Sequence, residues 1–288
     1  MIFLYSISFK VEVIEYLLRK LYIFSYVIRF KGAELMRLLG IDLGSREVKI
    51  VLMENSIIVQ KKKVSTMKFY RDYCRFEGKV VVDLEKLNIE GIDKAISTGY
   101  GKNNTDLKLF TPINEIKAHV YGAIYQSSLR DFILLDIGGQ DVKVVKVEKG
   151  IATDLELNEK CAASCGRYLE NMANVLEISL DEMSRYSENP VDLNSTCAVF
   201  SESELIGKIA EGVQIERLCA GVNYSLYKRL QPLLSNFRGK KLVLTGGVAS
   251  NNSIKKYLNN DYEEIVSVED PQFNGAIGCC YFGLEFLK

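Results

Sequence analysis

The chain has 288 residues, with 37 basic and 37 acidic side chains and a formal net charge of zero, so it carries no electrostatic footprint for nucleic acid. Its seven cysteines are odd in number and too sparse for a disulfide scaffold, which points to a reducing, cytoplasmic setting with thiols free to bind metal. One histidine, His119, and no Trp leave almost no room for a His-based metal site or Ser-His-Asp catalysis.

The first stretch, Met1 to Phe30, is rich in Ile, Leu, Phe and Tyr but is interrupted by Lys10, Glu12, Glu15, Arg19, Lys20 and Arg29. It lacks the run of about 20 apolar residues that a bilayer span needs. It also lacks the basic, apolar and small-residue order of a signal peptide. Residues 1–36 are therefore expected to be an extension outside the working fold, with Met36 directly before the first convincing strand and no membrane association. An amphipathic, membrane-touching helix is the alternative.

From Arg37 onward strands and helices alternate. Leu38–Asp42, Val48–Met53 and Ile57–Lys61 are apolar runs broken by glycine or polar residues, as adjacent strands are. Ala95–Thr98 is a further strand, and Ile113–Ser127 has helical spacing. The plan then repeats with strands at Phe132–Asp136, Val142–Val147 and Ile151–Leu157. Helices are expected over Gly166–Leu176 and Glu204–Leu230, a strand over Lys241–Thr245, and helices over Ile254–Leu258 and Gly275–Leu287. Two similar halves with a cleft between them follow: 37–130 joined by 275–288, and 131–274.

Each half opens on a strand that delivers an aspartate into a glycine turn. The first is Gly40-Ile41-Asp42-Leu43-Gly44-Ser45, with Lys49 on the partner strand. The second is Leu135-Asp136-Ile137-Gly138-Gly139-Gln140-Asp141. A third glycine turn, Thr245-Gly246-Gly247-Val248-Ala249-Ser250-Asn251, leads into a helix. Glycine permits a tight turn whose amides face a phosphate. One such turn is weak evidence; three in this order are strong.

These turns resemble the two phosphate motifs and the adenosine motif of the acetate-kinase, sugar-kinase, chaperone and actin superfamily. The resemblance implies an α/β fold of two ribonuclease-H-like domains with ATP in the cleft. It implies that Asp42 and Asp136 hold Mg²⁺ and its waters and that Gly44, Ser45, Gly138 and Gly139 wrap the phosphates. Lys49 would belong to the same nucleotide site, with Gly246, Gly247 and Asn251 against the adenosine. Gln140 and Asp141 are the two candidates for orienting the attacking water, and the sequence does not choose between them.

The most specific stretch is Asn158-Glu159-Lys160-Cys161-Ala162-Ala163-Ser164-Cys165-Gly166-Arg167-Tyr168-Leu169-Glu170, followed by Cys197-Ala198-Val199-Phe200-Ser201-Glu202-Ser203-Glu204. Both are similar to the cysteine motifs of the activators of 2-hydroxyacyl-CoA dehydratases, a group that includes the ATPase subunits of benzoyl-CoA reductase. Ser97–Gly101, Glu115, His119 and Gly122 match as well. The resemblance implies a homodimer with one shared [4Fe–4S] cluster bound by Cys161 and Cys197. It also implies a ferredoxin or flavodoxin donor and a dehydratase-like or reductase partner. Ser164 and Cys165 stand where that family has Gly-Thr. Cys165 is read as a small packing residue rather than a ligand, as are Cys74, Cys219, Cys279 and Cys280, the last two on different sides of their helix. His119 is read as structural. A small-molecule kinase of amino-sugar type would share the turns but has no use for Cys161 and Cys197; a nucleotide-dependent structural or regulatory protein is a third reading.

Overall fold

The computed structural model describes residues 36–99, 107–158, 165–194, 197–239 and 241–287. The expectation for residues 1–36 rests almost wholly on positions outside these, and so does Cys161.

Two five-stranded sheets share one plan. In the first, β1 (Arg37–Leu43), β2 (Glu47–Glu54) and β3 (Ile57–Ser65) form an antiparallel meander. On the other side of β1, β6 (Lys94–Thr98) and β7 (Phe110–Pro112) add in parallel, giving β3-β2-β1-β6-β7. In the second, β8 (Phe132–Ile137), β9 (Val142–Glu148) and β10 (Ile151–Asn158) are the meander. Here β11 (Lys241–Thr245) and β12 (Glu264–Ser267) add in parallel, giving β10-β9-β8-β11-β12. The central strands β1 and β8 are almost wholly buried, as continuous apolar runs covered on both faces must be. A small ribbon, β4 (Cys74–Phe76) with β5 (Val80–Val82), lies beside the first sheet's core. The ribbon, β7 and β12 are too short to show a period in the sequence.

The described helices are α1 (Thr66–Tyr73), α2 (Leu84–Leu87), α3 (Glu115–Ser127), α4 (Gly166–Val175), α5 (Leu180–Met183), α6 (Ala198–Ala210), α7 (Ile215–Leu234), α8 (Asn252–Leu258) and α9 (Asn274–Phe286). The single helix expected over Glu204–Leu230 is in fact two. Helix α6 starts earlier, at Ala198 with Cys197 as its N-cap, and ends before Gly212, whose φ of +78° is a left-handed conformation that stops a helix at little cost only for glycine.

Helix α9 packs on β1, β2 and β6 and on α3, while α3 also touches β8, β9 and β11. The two helices cross almost backbone to backbone. A Cβ on Gly278 would lie 1.7 Å from the Ala118 carbonyl oxygen. Cys279 and Cys280, expected on different sides of this helix, both face β1, with Sγ atoms 3.9 Å from the Ile41 carbonyl and 3.5 Å from the Leu38 carbonyl. Among the described residues no helix is long and apolar enough to cross a membrane.

Candidate functional site

The β1–β2 and β8–β9 turns and the turn after β11 face one cavity of about 550 Å³. Its lining includes all twelve residues expected at a nucleotide site: Asp42, Gly44, Ser45, Lys49, Asp136, Gly138, Gly139, Gln140, Asp141, Gly246, Gly247 and Asn251. The pairing registers explain the convergence. Asp42 sits opposite Lys49 and Asp136 opposite Lys143, so the two sheets present an aspartate and a lysine at equivalent addresses. Gly246 has φ +85°, and a Cβ there would lie 2.3 Å from the Ile137 carbonyl oxygen; only glycine brings the third turn this close to β8.

Asp136 is 2% exposed. Its Oδ1 accepts a hydrogen bond from the Thr245 hydroxyl at 2.8 Å and lies 3.3 Å from His119 Nδ1. That is an ion-pair distance without hydrogen-bond alignment, since the buried Nδ1 makes no well-formed bond. Lys143 Nζ stands 3.6 Å from Asp136 Oδ2 and 3.0 Å from Glu115 Oε1, and it also pairs closely with Asp141. Burial opposes the Asp136 charge, but His119, Lys143 and Thr245 outweigh it and hold the carboxyl well below the usual range. Burial likewise opposes the charge of Lys143, and Asp136, Asp141 and Glu115 outweigh it, so the ammonium is held above the ordinary lysine range. For His119, too, burial acts first and downward, and the nearby Asp136 carboxylate turns the net shift upward. His119 is therefore part of the cavity floor rather than only a core residue.

A Cβ on Gly275, in the first turn of α9, would lie 2.7 Å from Asp42 Oδ2 and 3.1 Å from His119 Nε2. The glycine thus lets a helix N-terminus, which favours negative charge, approach the Asp42 carboxylate. Two hard oxygen donors at the cavity floor suit Mg²⁺. Asp136, already facing three donors, suits a metal-bound water better than the ion itself. Asn251 lines the cavity, but its side chain is also structural: Oδ1 accepts from the Ile254 amide at 3.0 Å, capping α8, and Nδ2 donates to Asn223 at 2.9 Å.

Sequence reasoning missed Lys143, Glu115, Arg46 and Gln272 as lining residues. Lys143 was findable: it follows Asp136 at the same spacing at which the nominated Lys49 follows Asp42. Glu115 matched the family motif but was not assigned to the cavity, and Gln272 comes from an element distant in sequence and leaves no local signal.

The cysteines divide sharply. Cys197 is exposed, at the N-terminus of α6, beside exposed Val199 and Phe200. Cys165 is fully buried, and its Sγ donates to the Gly139 carbonyl at 3.0 Å. Cys219, Cys279 and Cys280 are buried as well. Burial pushes Cys219 up to about 11 and half-buried Cys74 to about 12, which disfavours the thiolate that a metal needs. Among the described residues no three His, Cys, Asp or Glu side chains are grouped to hold a metal.

A repeated five-stranded sheet with three glycine turns facing one cavity defines a protein of the actin-like ATPase and sugar-kinase fold. The fold alone is shared with a glucokinase from Streptomyces griseus, at 11% identity and TM-score 0.51. Residues 39–283 match the BadF/BadG/BcrA/BcrD ATPase family, and the chain belongs to that family. It is 36% identical to the (R)-2-hydroxyglutaryl-CoA dehydratase activating ATPase of Acidaminococcus fermentans, over 86% of this chain and 96% of the relative. It is 31% identical to the activator of 2-hydroxyisocaproyl-CoA dehydratase from Clostridium difficile with bound ADPNP, with TM-score 0.72 over 86% of this chain and 94% of that one.

Proposed function

We propose that the chain is an ATP-dependent electron-transfer activator. It would pass an electron from reduced ferredoxin or flavodoxin to a 2-hydroxyacyl-CoA dehydratase or a related reductase, at the expense of ATP. The observation that carries this reading is a direct link between the cavity and the cysteine segment. The Gly166 amide donates to the Gly138 carbonyl at 2.9 Å, and the Arg167 amide donates to the Gly139 carbonyl at 3.0 Å. The turn expected to wrap phosphates therefore holds the start of α4, the helix that directly follows Cys161 in sequence. Any shift of that turn with nucleotide state moves the helix start as well.

In this reading Asp42 and Asp136 position Mg²⁺ and its waters, and the ion supplies charge neutralisation for phosphoryl transfer. The Asp141 carboxylate is taken by Lys143, so exposed Gln140 is the better group to orient the attacking water. Cys161 and Cys197 would each supply one ligand from each of two copies. A two-fold axis doubles two thiolates to the four that a [4Fe–4S] cubane needs, and such a cluster supplies one-electron transfer. Cys197 fits that role because it is exposed, and the exposed apolar Val199 and Phe200 beside it suit burial against a second copy.

The test is anaerobic purification with iron analysis and an ATPase assay. A brown, oxygen-bleached dimer with about four irons per dimer is the expected result. A colourless ATPase without iron would sink the electron-transfer reading and leave only the nucleotide site.

A further inference from the structure

We propose that Arg46 is a phosphate-contacting residue that exchanges between Glu170 and the nucleotide, and so reports the presence of the terminal phosphate to α4. The inference rests on the reading that ATP occupies the cavity. Arg46 lies in the β1–β2 turn and lines the cavity. Its guanidinium reaches across to the other half and pairs with Glu170, in the middle of α4. On the way its stem lies over the second phosphate turn: a Cβ on Gly139 would be 3.2 Å from Arg46 Cδ. The charged end thus passes beside the two turns expected to hold the phosphates.

The internal repeat points to the same role. Counted from the aspartate, Arg46 occupies in the first turn the place of Gln140 in the second, as Lys49 matches Lys143. Where one turn offers an amide, the other offers a guanidinium. Two other cations in the cavity are less available to a new anion. Lys143 is surrounded by Asp136, Asp141 and Glu115, and Lys63 is bound to Gln272 at 2.9 Å. Arg46 and Glu170 are 42% and 33% exposed, and an ion pair that wet is weak. A phosphate offers the guanidinium a bidentate, charge-assisted alternative that can displace a half-exposed carboxylate.

The exchange has a second consequence. When Arg46 turns to phosphate, Glu170 loses its partner on the same helix whose start is bonded to Gly138 and Gly139. One end of α4 then senses the phosphate turn and its middle senses the guanidinium. ATP and ADP would differ at the second contact, because the terminal phosphate is the additional anion that draws Arg46 away.

The test is calorimetric titration of the full-length protein, kept anaerobic and with Mg²⁺, using a non-hydrolysable ATP analogue and ADP separately. Arg46→Ala should weaken binding of the analogue about tenfold, about 1.4 kcal/mol, with a smaller loss for ADP. Arg46→Lys should restore part of it, and Glu170→Gln, which removes the competing charge, should tighten the analogue several-fold. If Arg46→Ala and Glu170→Gln both bind like the wild type, the exchange is wrong. It is also wrong if Arg46→Ala weakens the analogue and ADP equally, or if Glu170→Gln weakens the analogue. Should Arg46→Ala fail to fold, Arg46→Lys and Glu170→Gln decide the matter alone. A wild-type chain that takes up neither nucleotide overturns the reading of the cavity itself, an outcome distinct from all of these.

Discussion

Asp136 keeps its charge in an almost closed position because Thr245, His119 and Lys143 surround it, from β11, α3 and β9. Such preorganised charge is what phosphoryl transfer requires, and removing one such group commonly costs about 100-fold or more in rate. Asp136→Asn should therefore keep the fold and lose ATP hydrolysis on that scale; Asp42→Asn should act alike. Full turnover in both, measured beside unchanged thermal transitions, would show that the carboxylates have been misassigned. Lys143 tells the converse story. It compensates three carboxylates from a position only 3% exposed, and Lys143→Met would leave them facing one another. Breaking a buried pair in this way costs about 3–5 kcal/mol, so a marked fall in Tm is expected, and an unchanged Tm would refute the account. The thiols make a further residue-scale test. In protein stripped of iron, iodoacetamide at pH 8 should label exposed Cys197 quickly and leave Cys165, Cys219, Cys279 and Cys280 unmodified until the protein unfolds. By the same reasoning Cys165→Ser should retain iron, whereas Cys161→Ser and Cys197→Ser should each lose most of it.

At the scale of elements, the crossing of α3 and α9 sets the floor of the cavity. It brings His119 and Gly275 to the Asp42 carboxylate, and it depends on contact with no Cβ between the backbones. Gly278→Ala would place a methyl 1.7 Å from the Ala118 oxygen, which no rotamer relieves. Overpacking of this kind costs about 1–3 kcal/mol, and here it should also weaken nucleotide binding, since the helices must separate beneath Asp42. Loss of stability with unchanged nucleotide affinity would show that the crossing does not shape the site. The break between α6 and α7 was not legible as a pattern because apolar spacing runs on through it. Only the positive φ of Gly212 marks the stop, and an isolated glycine within a helical pattern is tolerated too often to be decisive.

For the whole molecule, Arg37–Lys288 forms one compact unit, and every strand and helix named above lies within it. A chain beginning at Met36 should fold with an unchanged Tm and the same nucleotide affinity; a loss of either would give the extension a part in the working fold. Dimer formation belongs to this scale as well. If two copies share a cluster through Cys197, chelating the iron under anaerobic conditions should shift sedimentation toward the monomer. A dimer that persists without iron would mean that the interface stands on packing alone.

How much could be read in advance follows from how local each feature is. Both D-x-G turns, the third glycine turn and the flanking strands were legible because a strand that feeds a phosphate turn needs its aspartate and glycines within a few residues. The repeat of that unit was enough to give the paired sheets and the cavity between them. Glu115 and His119 matched the family motif without any sign of the cavity they would line, and nothing in the sequence next to Gln272 placed it there or indicated that Arg46 would pair with Glu170. The sequence by itself determined where the three glycine turns fall and which aspartates they follow, because that pattern is written in consecutive residues. Only the tertiary structure decided which distant side chains set their charges and which thiols are left exposed, because burial and long-range pairing depend on how the two sheets and the α3–α9 crossing come together.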